Sequence, residues 1–404
     1  MKARERDDRA ELLLRILSDF SRESKLPTPE AGIDLGTRLE TDLGLDSLAR
    51  SELLARVERG MRATLPEEAL LAATPGDLLA LLRQQSPTPA PAATFADTDT
   101  GPALADTPGS ARSLIEVLQW HVARHPDRVH ILFDAGGAQP LSLTYADLYA
   151  GAGRVAGLVR RRGLRAGDRA AIMLPSGPEY FFSFFGVLLA GGIPVPIYPP
   201  ARLEQIEDHL RRHAGILENA GTSLLITLPQ GRNIARLLRA LVRDLRDILA
   251  LGDIEKEAAP AEPAQPDSGD IAFLQYTSGS TGDPKGVILT HADLLANIRA
   301  MGEAARVTSR DVFVSWLPLY HDMGLIGAWL GSLYFGVKLV SMSPLAFLAR
   351  PQRWLQAIHK YRGTLSAAPN FAYELCLKRL SDADLAGMDL RSWRWAFNGA
   401  EPVS

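Results

Sequence analysis

Residues 276–286 read YTSGSTGDPKG. The apolar run 271–276 before it predicts a buried strand, and a second apolar run, 287–291, follows it and leads into a helical pattern. The glycines of the stretch allow a backbone to approach a ligand closely, the hydroxyl groups and backbone N–H groups can bind an anion, and Lys285 adds a positive charge. The stretch therefore predicts an anion-binding loop between two strands.

The loop is not a Walker A loop, because Lys285 follows Pro284 and precedes Gly286 instead of standing in a Gly-Lys-Ser/Thr sequence. A flexible surface hairpin is the alternative interpretation. The string closely resembles the phosphate-binding signature of the AMP-forming adenylation superfamily, which includes acyl-CoA synthetases, luciferases, nonribosomal adenylation domains and fatty acyl-AMP ligases. The resemblance implies that the ATP phosphates are bound by Thr277, Ser278, Gly279, Ser280, Thr281, Gly282 and Lys285.

Length and composition indicate a globular chain of two or three domains. The 404 residues are 46% apolar, and the formal net charge of −3 gives no sign of a nucleic-acid groove or a polybasic membrane patch. The single cysteine, Cys376, excludes an intramolecular disulfide, suits a reducing cytoplasm and is expected to be a buried packing thiol. The long apolar stretch 180–197 contains glycines and prolines, so we interpret it as a buried helix and a strand, with no membrane span.

Residues 1–85 predict a small four-helix domain, with helices over residues 9–20 and 48–62, a short piece at Pro66 and a last helix capped by Thr74. The string DLGLDS over residues 42–47 precedes the second helix, where Ser47 can cap the helix and an attached phosphate would sit in its positive N-terminal field. A plain N-cap serine is the alternative. The string is similar to the phosphopantetheine attachment site of acyl and peptidyl carrier proteins, which implies Ser47 as the attachment residue and a phosphopantetheinyl transferase as a partner.

Residues 86–110 are rich in Pro, Ala and Thr and predict an extended linker. From residue 111 onward, helical and strand patterns alternate, which predicts an α/β domain with a mostly parallel sheet. The predicted organisation is a carrier domain over 1–85, a linker over 86–110 and a layered adenylation-type large domain over 111–404.

Two further strings carry chemistry. His321 lies in WLPLYHDMGLIG (residues 316–327), after a predicted strand and before a helix, where parallel-sheet enzymes place ligands, although a lone histidine is often structural. The string resembles the motif that brings a histidine to the ATP phosphates and the acyl carboxylate. NGAEP (residues 398–402) is a weak signal alone, but it resembles the superfamily loop that lies along the adenine, which implies Gly399, Ala400 and Glu401 as its residues.

Other strings, such as SPLAFLARP (residues 343–351), are similar to the fatty acyl-AMP ligase branch. The resemblance implies an ATP- and Mg²⁺-dependent ligase that forms an acyl-adenylate and pyrophosphate from a fatty acid and transfers the acyl group to a pantetheine thiol, with downstream synthase modules as possible partners. Its catalytic residues would be His321 and Lys285.

The family's magnesium, ribose and C-terminal lysine residues have no match before Ser404, so no metal ligand is assigned. The chain is expected to be the N-terminal part of a longer enzyme. An acyl-CoA synthetase using free coenzyme A and a non-catalytic carrier or docking module remain open alternatives.

Overall fold

The computed structural model describes the chain except for residues 1, 24–26, 28, 30–31, 46, 62, 64, 66–68, 70–71, 84–101, 135–139, 200–205, 252–261, 278–284 and 404. The predicted short piece at Pro66, most of the predicted linker and the loop residues 278–282 lie outside the described residues. The chain divides into two compact units. The first comprises Met1–Thr94, Pro344–Arg353 and Lys378–Leu385, and the second comprises Phe95–Ser343, Trp354–Leu377 and Ala386–Ser404.

The elements follow each other along the chain as predicted for a helical region before an α/β region. The helices are α1 (Lys2–Glu23), α2 (Ser47–Met61), α3 (Pro75–Arg83), α4 (Leu114–Arg124), α5 (Tyr145–Arg161), α6 (Pro178–Leu189), α7 (Ile206–Ala220), α8 (Arg232–Leu241), α9 (His291–Ala304), α10 (Gly331–Phe335), α11 (Pro344–Ala349), α12 (Gln352–Tyr361), α13 (Asn370–Arg379) and α14 (Asp382–Leu385). The strands are β1 (Val129–Phe133), β2 (Leu141–Thr144), β3 (Arg169–Met173), β4 (Ile193–Ile197), β5 (Thr222–Thr227), β6 (Asp247–Ala250), β7 (Ile271–Thr277), β8 (Lys285–Thr290), β9 (Val312–Ser315), β10 (Lys338–Ser341), β11 (Leu365–Ala368) and β12 (Trp395–Asn398).

In the first unit, the N-terminal helices pack around a leucine-rich core. The α1 stripe buries Leu13, Leu17 and Phe20, which matches the predicted helical spacing. The predicted cap of α3 is confirmed, because the Thr74 hydroxyl accepts a hydrogen bond from the Asp77 backbone N–H at 3.2 Å and the Asp77 carboxylate accepts one from the Thr74 N–H at 2.9 Å. Three helices of the predicted four-helix domain are thus described.

The second unit contains three sheets. The first has the order β12-β11-β9-β10-β1-β2 and is parallel except for the antiparallel pair β1–β2. The second, in the order β4-β3-β5-β6, is wholly parallel, and the third is the antiparallel pair β7–β8. The prediction of a mostly parallel α/β domain is confirmed.

The apolar stretch 180–197 forms α6 and β4. Phe181, Phe184 and Phe185 of α6 are fully buried and surround the Trp329 ring, with centroid distances of 4.6, 5.4 and 5.6 Å. The apolar side chains of this stretch are therefore part of the hydrophobic core of the second unit. Within the described residues, we find no helix that is both long and apolar enough to cross a membrane.

Cys376 lies on α13 and is partly buried, whereas the sequence predicted a buried packing thiol. Burial nevertheless raises the pKa of this thiol to about 11. The thiol is therefore protonated at neutral pH, which agrees with the expectation that it is not a nucleophile.

Candidate active site

Two of the predicted site segments, the one that follows β9 and the one that follows β12, lie at the carboxyl edge of the six-stranded sheet. Strand β9 ends at Ser315 and leads toward His321, while β12 ends at Asn398 and leads into residues 399–401. Both strands run parallel to β11, so their carboxyl ends lie at the same edge of the sheet. Ligands of parallel sheets bind at this edge. The structure thus places the His321 loop and the Gly399–Glu401 loop on the same edge of the sheet.

The strands β7 and β8 hold the two ends of the predicted phosphate loop together. Thr277 and Lys285 are opposite partners at the end of the ladder, and both are exposed. Gly286 is required here, because a Cβ atom at this position would lie 2.8 Å from the Tyr276 ring. Tyr276 in turn donates a hydrogen bond to Asn219 at 2.6 Å, which anchors the hairpin to α7. The predicted contacts of Ser278, Gly279, Ser280, Thr281 and Gly282 lie in the part of the loop that is not described.

His321 is half exposed and oriented by its neighbour in the sequence. Its Nδ1 lies 2.7 Å from the Asp322 carboxylate, and its backbone N–H donates to the Pro318 carbonyl at 3.2 Å. The hydrogen bond to Asp322 raises the pKa of His321 above its usual value, while the same contact lowers the pKa of Asp322. An imidazole held through Nδ1 presents Nε2 to a ligand, and the carboxylate favours its cationic form. Asp322 therefore orients the His321 ring.

This contact gives a first prediction. Replacing Asp322 with asparagine removes the carboxylate that stabilises the imidazolium, so we expect the pKa of His321 to fall toward or below its ordinary value, because the remaining effect of burial lowers it. The measurement is an NMR titration of the His321 ring signals. As a control, Asp147→Asn removes a carboxylate that caps α5 and should leave the His321 titration unchanged. An unaltered His321 pKa in Asp322→Asn would show that the contact has no electrostatic effect.

The loop after β12 is held by α13. Asn398 donates to the Asn370 side chain at 3.1 Å, and the Glu401 carboxylate accepts a hydrogen bond from the Phe371 backbone N–H at 2.6 Å. Ala400 has a φ of 72°, a left-handed conformation that is unusual for alanine. The added Cβ of a larger residue at Gly399 would meet no atom within 4 Å, so space is open beside this loop. Through one carboxylate oxygen, Glu401 thus holds the loop after β12 against the N-terminus of α13.

An apolar cavity, which no pattern in the sequence predicted, lies between α9, α10, β11 and β12. It has a volume of about 500 Å³. Among the described residues that line it, none carries a charge. It approaches the candidate site at two points: Met323 lies two residues after His321, and Phe397 directly precedes Asn398. The lining also includes Gly327. Such a cavity fits an apolar chain whose polar end lies beside His321.

Comparisons with known proteins agree with this geometry. The family model described as "AMP-binding enzyme" matches residues 118–404, and the one described as "Phosphopantetheine attachment site" matches residues 15–82. The chain is 37% identical over 298 residues to the medium-chain-fatty-acid–[acyl-carrier-protein] ligase JamA of Moorena producens, covering 72% of this chain and 50% of the relative. It is 35% identical over 308 residues to the long-chain-fatty-acid–AMP ligase FadD26 of Mycobacterium tuberculosis, covering 73% of this chain and 52% of the relative.

Solved structures give the same result. The fatty acyl-adenylate ligase of Legionella pneumophila, determined in complex with acyl adenylate and pyrophosphate, is 35% identical and matches with a TM-score of 0.67 over 73% of this chain and 51% of that chain. The chain thus spans about half the length of the proteins it matches. The family model covers most of the chain, including both loops at the sheet edge and the hairpin with Lys285. We conclude that the chain belongs to the family of AMP-binding enzymes.

Proposed function

We propose that this chain provides the carrier domain and the nucleotide- and acyl-binding part of a fatty acyl-AMP ligase. The observation that carries the proposal is the apolar cavity of about 500 Å³, whose lining includes Met323, two residues after His321, and Phe397, directly before Asn398. A fatty acyl chain in this cavity would place its carboxylate at the sheet edge, where the nucleotide loops lie. The names of the relatives, a fatty-acid–acyl-carrier-protein ligase and a fatty-acid–AMP ligase, support the same substrate class.

In the proposed adenylation step, an oxygen of the fatty acid carboxylate attacks the α-phosphorus of ATP. The new bond joins the carboxylate oxygen to phosphorus, and the bond from the α-phosphorus to the pyrophosphate oxygen breaks. Lys285 and the Thr277–Gly282 segment would bind the phosphates, and His321, whose cationic form Asp322 favours, would lie beside the phosphates and the carboxylate. Gly399, Ala400 and Glu401 would receive the adenine, with one Glu401 oxygen already engaged by Phe371.

Mg²⁺ is proposed to arrive with the ATP phosphates and to neutralise part of their charge. Within the described part of the chain there is no group of three or more His, Cys, Asp or Glu side chains that could hold a metal.

In the second step, the thiol sulfur of a phosphopantetheine arm would attack the acyl carbonyl carbon, and AMP would leave. We propose Ser47 as the attachment residue, a phosphopantetheinyl transferase as the modifying partner and downstream synthase modules as acceptors. We further propose a four-helix carrier domain over residues 1–85, a linker over 86–110 and the adenylation domain from 111 onward, in a cytoplasmic protein. The match of residues 15–82 to the phosphopantetheine family supports this arrangement.

The cavity can be filled by one substitution. Gly327 lines the cavity, and a Cβ atom at this position would meet no atom within 4 Å. We expect Gly327→Phe to occupy the cavity without strain. The measurement is calorimetric binding of two acyl-adenylate analogues whose phosphate is replaced by sulfamate, one acetyl and one dodecanoyl. The wild-type chain should bind the dodecanoyl analogue at least about 100-fold more tightly, because each buried methylene contributes about 0.8 kcal/mol. Gly327→Phe should reduce this ratio to near one.

The matched control is Gly215→Phe on α7, where an added Cβ likewise meets no atom within 4 Å and which does not line the cavity. This variant should keep the wild-type preference for the dodecanoyl analogue. A preference that survives in Gly327→Phe would place the acyl chain elsewhere and overturn the proposal. Because the test measures binding by this chain, it does not depend on turnover.

A further inference from the structure

Two successive backbone carbonyls just before His321 accept hydrogen bonds from buried side chains. The Tyr180 hydroxyl on α6 donates to the Leu319 carbonyl at 2.6 Å, and the Gln275 amide on β7 donates to the Tyr320 carbonyl at 2.9 Å. Tyr180 is fully buried and Gln275 is 5% exposed. The donors belong to two different elements, so the loop that carries His321 is fixed to the rest of the second unit at two consecutive residues.

The chemistry of Gln275 allows only one orientation of its amide. Its NH₂ group faces the carbonyls of Tyr320 and, at a longer 3.5 Å, Tyr276, both of which can only accept. Turning the amide by 180° would bring its oxygen against these carbonyl oxygens. Its Oε1 atom has no hydrogen-bond partner in the described structure. A buried polar side chain in an otherwise apolar strand is costly unless its hydrogen bond has a specific role.

The position of Gln275 suggests that role. It lies two residues before Thr277, which pairs with Lys285 at the end of the hairpin. One strand therefore carries both the beginning of the predicted phosphate loop and the side chain that holds the His321 loop. A rigid strand between them sets the distance from Lys285 to His321.

Aromatic rings fill the space behind Tyr320. The Tyr198 ring lies 6.0 Å from the Tyr320 ring, and the imidazole of His213 lies 4.3 Å from Tyr198. His213 is stacked on His209 at 3.8 Å, and burial lowers the pKa of both imidazoles, to about 4 for His213 and about 3 for His209. Both rings are therefore neutral at neutral pH and pack beside Tyr198, so no charge from these two histidines lies behind the loop.

We propose that Gln275 and Tyr180 are positioning residues that hold His321 at a fixed place relative to the Thr277–Lys285 hairpin. The inference rests on the proposed function, in which one nucleotide contacts both segments. Neither side chain is assigned to contact the substrate. Their effect on ligand binding is exerted through His321.

The first measurement is hydrogen–deuterium exchange of the 404-residue chain without ligand. The reporting amides are those of His321 and Leu325, which donate to Pro318 at 3.2 Å and to His321 at 2.8 Å. We expect Gln275→Met and Tyr180→Phe each to speed their exchange about tenfold. Gln275→Glu should speed it more, since a carboxylate in place of the amide would face the Tyr320 carbonyl. The control Leu274→Met, on the same strand, should leave these rates unchanged. Wild-type exchange rates in Gln275→Met and Tyr180→Phe would overturn the inference.

The second measurement is a double-mutant cycle on ATP binding by calorimetry, with Gln275→Met, His321→Ala and the combined variant. If Gln275 acts through His321, Gln275→Met weakens ATP binding about fivefold alone and has no further effect when His321 is already alanine. Additive losses, with ATP binding by the wild-type chain intact, would overturn the inference and leave the proposed function standing. A wild-type chain that binds no ATP would overturn the proposed function itself, while the exchange rates would still report whether the two side chains hold the loop.

Discussion

Replacing Lys285 with alanine is expected to weaken ATP binding by about 10- to 100-fold. A hydrogen bond between a charged donor and a phosphate contributes about 1.5–3 kcal/mol, and each 1.4 kcal/mol corresponds to a factor of ten. Lys285 is exposed at the start of β8, and within the described residues it forms no ion pair that would compete for its charge. The folded chain should therefore keep its stability, and the loss should appear in binding alone.

The experiment compares ATP, AMP and adenosine by calorimetry in low salt. Because Lys285 is assigned to the phosphates, Lys285→Ala should reduce the affinity for ATP strongly, that for AMP less and that for adenosine hardly at all. Lys285→Arg keeps the positive charge and serves as the matched variant, with an intermediate loss because a guanidinium has a different shape from an ammonium. Equal losses for ATP and adenosine would indicate a damaged fold, and an unchanged ATP affinity would remove Lys285 from the phosphate site.

Local signals in the sequence identified many elements correctly. Thr144 caps α5 through a capping box with Asp147, and a threonine directly before a helical pattern is a local signal of this kind. The glycines and prolines within residues 180–197 distinguished a helix and a strand from a membrane span. Both signals depend only on neighbouring residues, which explains their success. Helix ends were less visible: the helical pattern of residues 234–245 continues past the end of α8 at Leu241, before β6 begins at Asp247.

Short strands were missed where their stability comes from distant partners. Strands β2, β6 and β10 have four residues each, too few to show a periodic pattern. Lys338 even occupies a buried position in β10, where sequence patterning predicts an apolar residue. Pairing across the sheet, with register such as Lys338 opposite Val312, determines these strands. Such long-range pairing is not visible in one sequence.

The sequence predicted three separate motifs of the candidate site, but not how they lie relative to one another in space. The motifs contain His321, Lys285 and Gly399, and strand direction explains why two of them meet at one sheet edge. The cavity could not be predicted, because its lining residues are spread over about a hundred positions from Ile298 to Phe397 and share only apolar character. Gln275 did offer a signal, as a single amide within the apolar run 271–276, but its partner at Tyr320 required the folded chain.

The largest expected effect concerns Ser47. The loop before Ser47 is fixed by two leucines, Leu43 and Leu45, which are buried in the core of the first unit. Gly44 between them has a φ of 64°, a backbone conformation that favours glycine. The Leu45 backbone N–H donates to the Leu39 carbonyl at 3.0 Å. Because α2 begins at Ser47, a phosphate attached to this residue would lie at the N-terminus of a helix, where a negative charge is stabilised.

We therefore expect the chain to gain the mass of one phosphopantetheine arm on treatment with coenzyme A and a broad-specificity phosphopantetheinyl transferase, and Ser47→Ala to gain none. Intact-mass spectrometry measures both. Ser51→Ala, one helical turn further along α2, is the matched control and should be modified fully. Circular dichroism of Ser47→Ala must show an unaltered helix content, so that a lost arm reports the lost hydroxyl. An arm on Ser47→Ala would place the attachment at another residue. If the wild-type chain is folded and gains no arm, the first domain is not a carrier. The acyl group would then have to be transferred from the adenylate to an acceptor on another molecule.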